Sequence, residues 1–169
     1  MNQRYLILFS LSGLILSLDQ LLKRVVLTAW QNQAEHILIP GFLTGVLKHN
    51  NGFAFGLLQH APKQLQEIFF IAVPAFALVL IVLIFIKLQD DQMLTSVALT
   101  TIFSGAIGNL LDRIKYGHVI DFLEFHWKGT PLFPPFNIAD ISIILGVVLM
   151  FINTFQQNKK MATDQGSSK

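Results

Sequence analysis

The sequence predicts an all-α membrane protein: four transmembrane helices with a small β-like region and a short amphipathic connection. Three observations predict it. The chain is 53% hydrophobic and only 13% charged, whereas a soluble domain carries about 25% charged residues. Two runs, Ile68–Ile86 and Met93–Leu111, are 19 residues long without a charge, enough to cross a bilayer. Finally, polar and ionisable residues gather beside the ends of the apolar runs, where such groups are costly unless they do something.

At 169 residues the chain fits one domain, 1–158, with a polar tail, 159–169, expected to be disordered. The first span covers about 5–30. Tyr5 to Leu18 is free of charge, and Arg4 before it gives the look of a signal peptide. No small-x-small cleavage site follows, so a retained helix is expected. Asp19 falls ~21 Å along that helix from Tyr5, toward the far side of a ~30 Å core. Lys23 is four residues on, on the same face. An ion pair anchoring the helix end explains the two residues as well as a catalytic role does.

The connection 31–66 reads as short strands, Ile37–Leu38–Ile39 and Val46–Leu47–Lys48, parted by Pro40–Gly41. Asn50–Asn51–Gly52 favours a tight turn. Phe53, Phe55, Leu57 and Leu58 after it are placed to dip into a bilayer surface. The second span, about 67–87, contains Pro74, which is expected to kink it. The short turn Lys87–Gln92 returns the third span, about 93–112, antiparallel beside it. Ser104 and Gly108 stand in small-xxx-small spacing, which with Gly105 allows close helix packing. Packing does not account for Asn109, Asp112 and Arg113 at the same end.

The second connection, 113–137, alternates from Val119 to Trp127 like a strand. Asp121 falls on its apolar face with Val119, Leu123 and Phe125. Glu124 and His126 fall on the other face, expected to meet water. A carboxylate among apolar neighbours has a raised pKa, as a general acid or base needs. The fourth span, about 138–156, opens with Asn137 as a helix cap and Asp140 in the first turn. Capping alone is a sufficient reason for Asp140.

Several chemistries are excluded. There is no cysteine, hence no thiolate chemistry. His36, His49, His60, His118 and His126 lack zinc-binding helical spacing. Ser104 has no nucleophile elbow. No metal or other cofactor is implied, and the scattered basic residues make no nucleic-acid footprint. Four spans put both termini on one side. Arg4, Lys87, Lys159, Lys160 and Lys169 lie there, against Lys23, Arg24, Lys48, Lys63, Arg113, Lys115 and Lys128 opposite. That balance gives no usable positive-inside signal, particularly if Lys23 pairs with Asp19 and Arg113 with Asp112. Antiparallel packing brings Asp121 and Asp140 to one membrane face. Two adjacent carboxylates share a proton, so one can activate water while the other protonates a leaving amine. A proton-coupled carrier subunit is the alternative, because carriers also bury carboxylates.

Taken together, Asp19–Lys23, Asn50–Phe55, Gly105–Arg113, Val119–Phe122 and Phe136–Asp140 closely resemble the bacterial lipoprotein signal peptidase family, signal peptidase II. The resemblance spans roughly residues 5 to 155. It implies an aspartic endopeptidase that removes the signal peptide from diacylglyceryl-modified prolipoproteins, cutting before the lipidated cysteine. Asp121 and Asp140 match the family's catalytic pair. Asp19, Lys23, Asn50, Gly105, Gly108, Asn109, Asp112, Arg113 and Asn137 fall in the matching motifs as substrate-binding or supporting residues. Also implied are the cytoplasmic (inner) membrane, cytoplasmic termini, an extracytoplasmic place for the small β-like region, a site toward the extracytoplasmic leaflet, membrane lipids as partners and inhibition by globomycin. The chain departs from the family at Asn51 and Phe53, where small residues are usual.

Overall fold

The computed structural model describes residues 2–30, 35–52 and 62–167, with side chains as far as Lys159. The phenylalanine cluster at 53–58 lies outside the described residues. Four helices are long and apolar enough to cross a membrane: α1 (Gln3–Ala29), α2 (Lys63–Ile86), α3 (Met93–Tyr116) and α4 (Ile138–Ser167). Strands β1 (His36–Ile39), β2 (Leu43–Asn50), β3 (Val119–Trp127) and β4 (Thr130–Pro131) make one antiparallel sheet in the order β1-β2-β3-β4.

The helix ends differ from expectation in informative ways. α3 runs on past the predicted end near residue 112 to Tyr116, so Asp112 and Arg113 are helical. It stops where Gly117 takes φ 76° and returns its N–H to the Arg113 carbonyl. A left-handed residue at this point is a standard helix terminator, and glycine adopts it freely. The tail expected to be disordered from 159 instead continues α4 to Ser167. Lys, Met, Ala and Gln there are good helix formers, and extending an existing helix avoids the cost of nucleation.

α3 is the hub, packing against α1, α2 and α4. In it 56% of the apolar window is buried, against 11 to 17% in the other three helices. Its buried side is small and polar: Thr95, Ser96, Thr100, Thr101, Ser104, Gly105 and Gly108. In lipid no hydrophobic effect draws helices together, so small residues that permit close contact and hydroxyls that bond across do the work. Ser104 donates to Ser12 of α1 at 3.0 Å. A Cβ on Gly105 would stand 2.3 Å from the Ala139 carbonyl oxygen of α4, and one on Gly108 would stand 2.8 Å from Asp19 Oδ2. These glycines let α1, α3 and α4 close around the polar cluster.

The N-terminus and the α2–α3 turn share one end of the bundle. Asn2 donates to Asp90 at 2.6 Å, and Arg4 bonds the Leu88 carbonyl. The sheet and the polar cluster share the other end. β3 departs from the single buried face expected of it, since Val119, Ile120, Asp121 and Phe122 are all buried. Both faces of this half are covered because β3 lies against α1 and α3. Glu124 and His126, expected in water, are largely covered and pair with each other at 3.1 Å.

Candidate active site

Two backbone arrangements bring Asp121 and Asp140 together. β2 and β3 pair with Asn50 opposite Val119 and Lys48 opposite Asp121. Directly opposite residues share a sheet face, so Asn50 is the diagonal neighbour of Asp121 and within reach of it. After β4 the chain folds back, and Phe136 bridges to Leu123 through N–H···O bonds at both ends, each 2.9 Å. That bridge sets Asn137, the first residue before α4, beside Asp121.

Asn137 joins the two aspartates. Its Nδ2 donates to Asp121 Oδ1 at 2.7 Å. Its Oδ1 accepts from the Asp140 N–H at 2.9 Å, and its own N–H donates to Asp140 Oδ2 at 3.2 Å. The last two bonds form a reciprocal cap on α4, so the capping role of Asp140 is real. It leaves the other oxygen free for a second use: Asp140 Oδ1 accepts from Asn109 Nδ2 at 2.7 Å. Asp121 Oδ2 accepts from Asn50 Nδ2 at 2.9 Å. Among the described residues, every side-chain group bonded to either aspartate is a neutral amide. Asp121 is 1% exposed. Burial pushes its carboxyl up to about 6, with the Asp140 charge adding to the rise and the Asn50 and Asn137 amides and the Lys23 charge opposing it.

Behind this pair lies a second carboxylate pair. Lys23, 2% exposed, contacts Asp112 Oδ2 at 2.7 Å, Asp19 Oδ2 at 2.9 Å and Asn109 Oδ1 at 3.1 Å, so all three ammonium donors are used. Asp19 Oδ1 accepts the Ala139 N–H at 2.9 Å, placing a negative charge on the N-terminus of α4. Asp112 Oδ2 accepts the Ile120 N–H at 3.2 Å and so fastens β3 to α3. Asn109 links the two clusters, accepting from Lys23 and from Asn137 while donating to Asp140.

A family model described as Signal peptidase (SPase) II matches residues 11–156. The chain belongs to the signal peptidase II family. The lipoprotein signal peptidase of Geobacter metallireducens is 37% identical, over 97% of this chain and 99% of that protein. The one from Burkholderia cenocepacia is 40% identical, over 87% of this chain and 86% of that protein. Two solved structures, each described as a bacterial membrane enzyme, have the same fold. One superposes with a TM-score of 0.76 at 32% identity, covering 91% of this chain and 93% of that one. The other gives 0.78 at 31%, covering 95% and 92%. Membership makes the chain a peptidase, and its four apolar helices make it a multi-pass membrane protein. The relatives named here are peptidases, not carriers.

Within this signal peptidase II fold, all but one of the residues singled out from sequence share the polar network or pack around it. The exception is Arg113. Its guanidinium carbon lies 4.5 Å from the centre of the Phe70 ring, and Asp112 pairs with Lys23 instead. Neighbouring residues on a helix point about 100° apart, so Arg113 diverges from Asp112, though its charge still acts on Asp140, Asp112 and Asp121. Phe70 also closes on the Asn50–Gly52 turn. Gly52 has φ 75°, gives its N–H to Asn50 Oδ1 at 2.8 Å, and has the Phe70 ring where a Cβ would go. Phe70 was invisible within a uniformly apolar run. Gln20 was missed too: its Nε2 reaches Asp112 Oδ1 at 3.0 Å, Asp19 Oδ2 at 3.2 Å and the Gly108 carbonyl at 3.3 Å. Its position next to Asp19 was the available signal. Among the described residues, no cluster of three or more His, Asp or Glu is arranged to hold a metal.

Proposed function

We propose that Asp121 and Asp140 are the catalytic dyad with which this signal peptidase II cleaves diacylglyceryl-modified prolipoproteins before the lipidated cysteine. The observation that carries the assignment is the amide bridge: Asn137 bonds both carboxylates, and among the described residues no cation is in ion-pair contact with either one. A carboxylate pair supported by neutral donors keeps one proton between its members. The ionised member takes a proton from water as the oxygen attacks the scissile carbonyl carbon. The protonated member supplies a proton to the nitrogen as the carbon–nitrogen bond breaks, releasing the cysteine amine. One hydrogen ion is taken and one given, so the pair ends the cycle as it began.

The remaining network residues hold this geometry. Asn109 and Asn137 orient the dyad, Asn50 steadies Asp121, and Asp19, Lys23 and Asp112 clamp α1, α3 and α4 beneath it. Gly105 and Gly108 allow that clamp to close. Arg113, placed over Phe70 beside the Asn50 turn, is suited to the substrate's backbone carbonyls. The protein works in the cytoplasmic membrane with its termini inside and the dyad toward the outer leaflet, where lipidated substrate and membrane lipid reach it laterally. Globomycin competes there.

The test is mass spectrometry of an authentic lipidated prolipoprotein incubated with purified enzyme in lipid. Wild type should release the signal peptide. Asp121→Asn and Asp140→Asn should each lose at least about 10³-fold in rate, the upper range for a proton-transfer group, while remaining folded. Substantial turnover by either variant sinks the dyad assignment.

A further inference from the structure

We propose that a pocket between α1 and α3, on the far side of Lys23 from the dyad, binds the phosphate of an anionic phospholipid. The pocket has a volume of about 280 Å³ and is lined by Gln20, Leu21, Lys23, Arg24, Lys115 and Tyr116. Arg24 and Lys115 are exposed at its mouth. Neither is in ion-pair contact with a carboxylate among the described residues. The Lys115 ammonium instead sits 4.7 Å from the Tyr116 ring centre. Two like charges gathered at one opening repel each other unless an anion joins them. The acidic groups behind the pocket, Asp19 and Asp112, are already held by Lys23 and Gln20. With Lys23, Arg24 and Lys115 set against those two carboxylates, one positive charge is left over.

The surroundings select a lipid over a free anion. Leu14, Leu18 and Leu21 recur on one stripe of α1, all exposed, and Leu111 and Ile114 of α3 are exposed as well. This is a lipid-facing surface leading along the helices to the cations, with Tyr116 at the boundary where aromatic side chains favour the headgroup level. A phosphodiester in the pocket would meet the guanidinium and ammonium directly and hydrogen-bond with Gln20 or Tyr116, while its chains lie along the leucine stripe. No pocket residue bonds Asp121 or Asp140. The nearest link runs through Lys23 and Asn109, so the site is separate from the catalytic opening and does not depend on the peptidase assignment.

The experiment titrates delipidated full-length protein with phosphatidylglycerol or phosphatidylcholine and follows bound lipid by native mass spectrometry. Wild type should retain one phosphatidylglycerol with roughly 25-fold preference, about fivefold for each basic side chain. Arg24→Gln/Lys115→Gln should bring the preference to within about twofold of unity, and Arg24→Lys/Lys115→Arg should restore it. Equal preference in wild type and the glutamine variant overturns the proposal. Inorganic phosphate is the second arm: if it displaces the lipid at millimolar concentration, the pocket takes a free anion and the lipid assignment fails. Should the glutamine variant not fold, wild type alone decides. Its preference must shrink several-fold on raising salt tenfold, as pairing at an exposed mouth requires. A preference indifferent to salt overturns the proposal equally.

Discussion

Two pairs of carboxylates lie side by side at one end of this bundle, and they are treated oppositely. Asp19 and Asp112 share the ammonium of Lys23 and each accepts a backbone N–H, one from α4 and one from β3. Among the described residues, Asp121 and Asp140 receive amide side chains alone and, for Asp140, one backbone N–H. A buried carboxylate paired with a cation is committed to its charge, because losing either partner strands the other. A carboxylate held by neutral donors is tolerated in either protonation state. The first pair therefore builds the site, and the second is left able to exchange protons within it. Both are buried aspartates in one sequence; their partners make the difference.

Lys23→Met tests the division most severely. The substitution roughly preserves the stem and deletes the charge, leaving two buried carboxylates without their cation. Breaking a buried pair in this way costs about 3–5 kcal/mol, and here two pairs break at once. Thermal unfolding in a fixed lipid or detergent should show that loss. At pH 4, Asp121→Asn and Asp140→Asn should each cost less than Lys23→Met, since losing either carboxylate strands no bonded cation. If Lys23→Met unfolds like wild type, the inner pair is not structural and the contrast collapses.

Which parts of this arrangement were legible in the sequence follows from how local each one is. The spans were, because a long apolar run, such as the uncharged 19 residues of Ile68–Ile86, is a local property. The Asp19–Lys23 pair was legible from its four-residue spacing on one helix. The third member, Asp112, was not: it comes from another helix, and its adjacency to Arg113 suggested a pairing that helix geometry disfavours. The strand at 119–127 was visible in its alternation, but its burial on both faces depends on α1 and α3, which no pattern within the strand reports. Gln20 and Phe70 act only through tertiary neighbours. The helical end of α4 was misjudged because composition describes an isolated segment, not one extending an existing helix.

The outer pair also makes the contrast visible as a dependence on pH. Burial holds Asp121 at about 6, above its ordinary value of 3.8. The folded state therefore favours its protonated form. That contribution is fully present below about pH 4 and is lost as pH rises through 6. The shift corresponds to at most about 3 kcal/mol. Wild type minus Asp121→Asn should show this decline in stability across that window, the variant having no proton to lose. A difference that is flat from pH 4 to 7 would mean that Asp121 is not strained as an anion, and the two pairs would be alike.

The smallest effect separates the donors around the dyad from the turn that carries one of them. Asn50 does two things: its Nδ2 steadies Asp121, and its Oδ1 accepts the Gly52 N–H to close the turn. Asn50→Ala removes both, while Asn50→Asp keeps the acceptor for Gly52 and replaces the donor with a carboxylate facing Asp121, which raises Asp121 further. Since the Asn50 bond opposes the rise of Asp121, losing it should move the acid limb of the pH–rate profile upward and lower kcat/KM roughly tenfold, as for one hydrogen bond to a charged group. Asn50 is exposed at the rim, so stability should change by less than about 0.5 kcal/mol. Both variants should show the shifted limb if the donor matters to Asp121. If Asn50→Ala alone loses activity and Asn50→Asp matches wild type, Asn50 serves the turn, and Asn137 is left as the side chain that steadies Asp121.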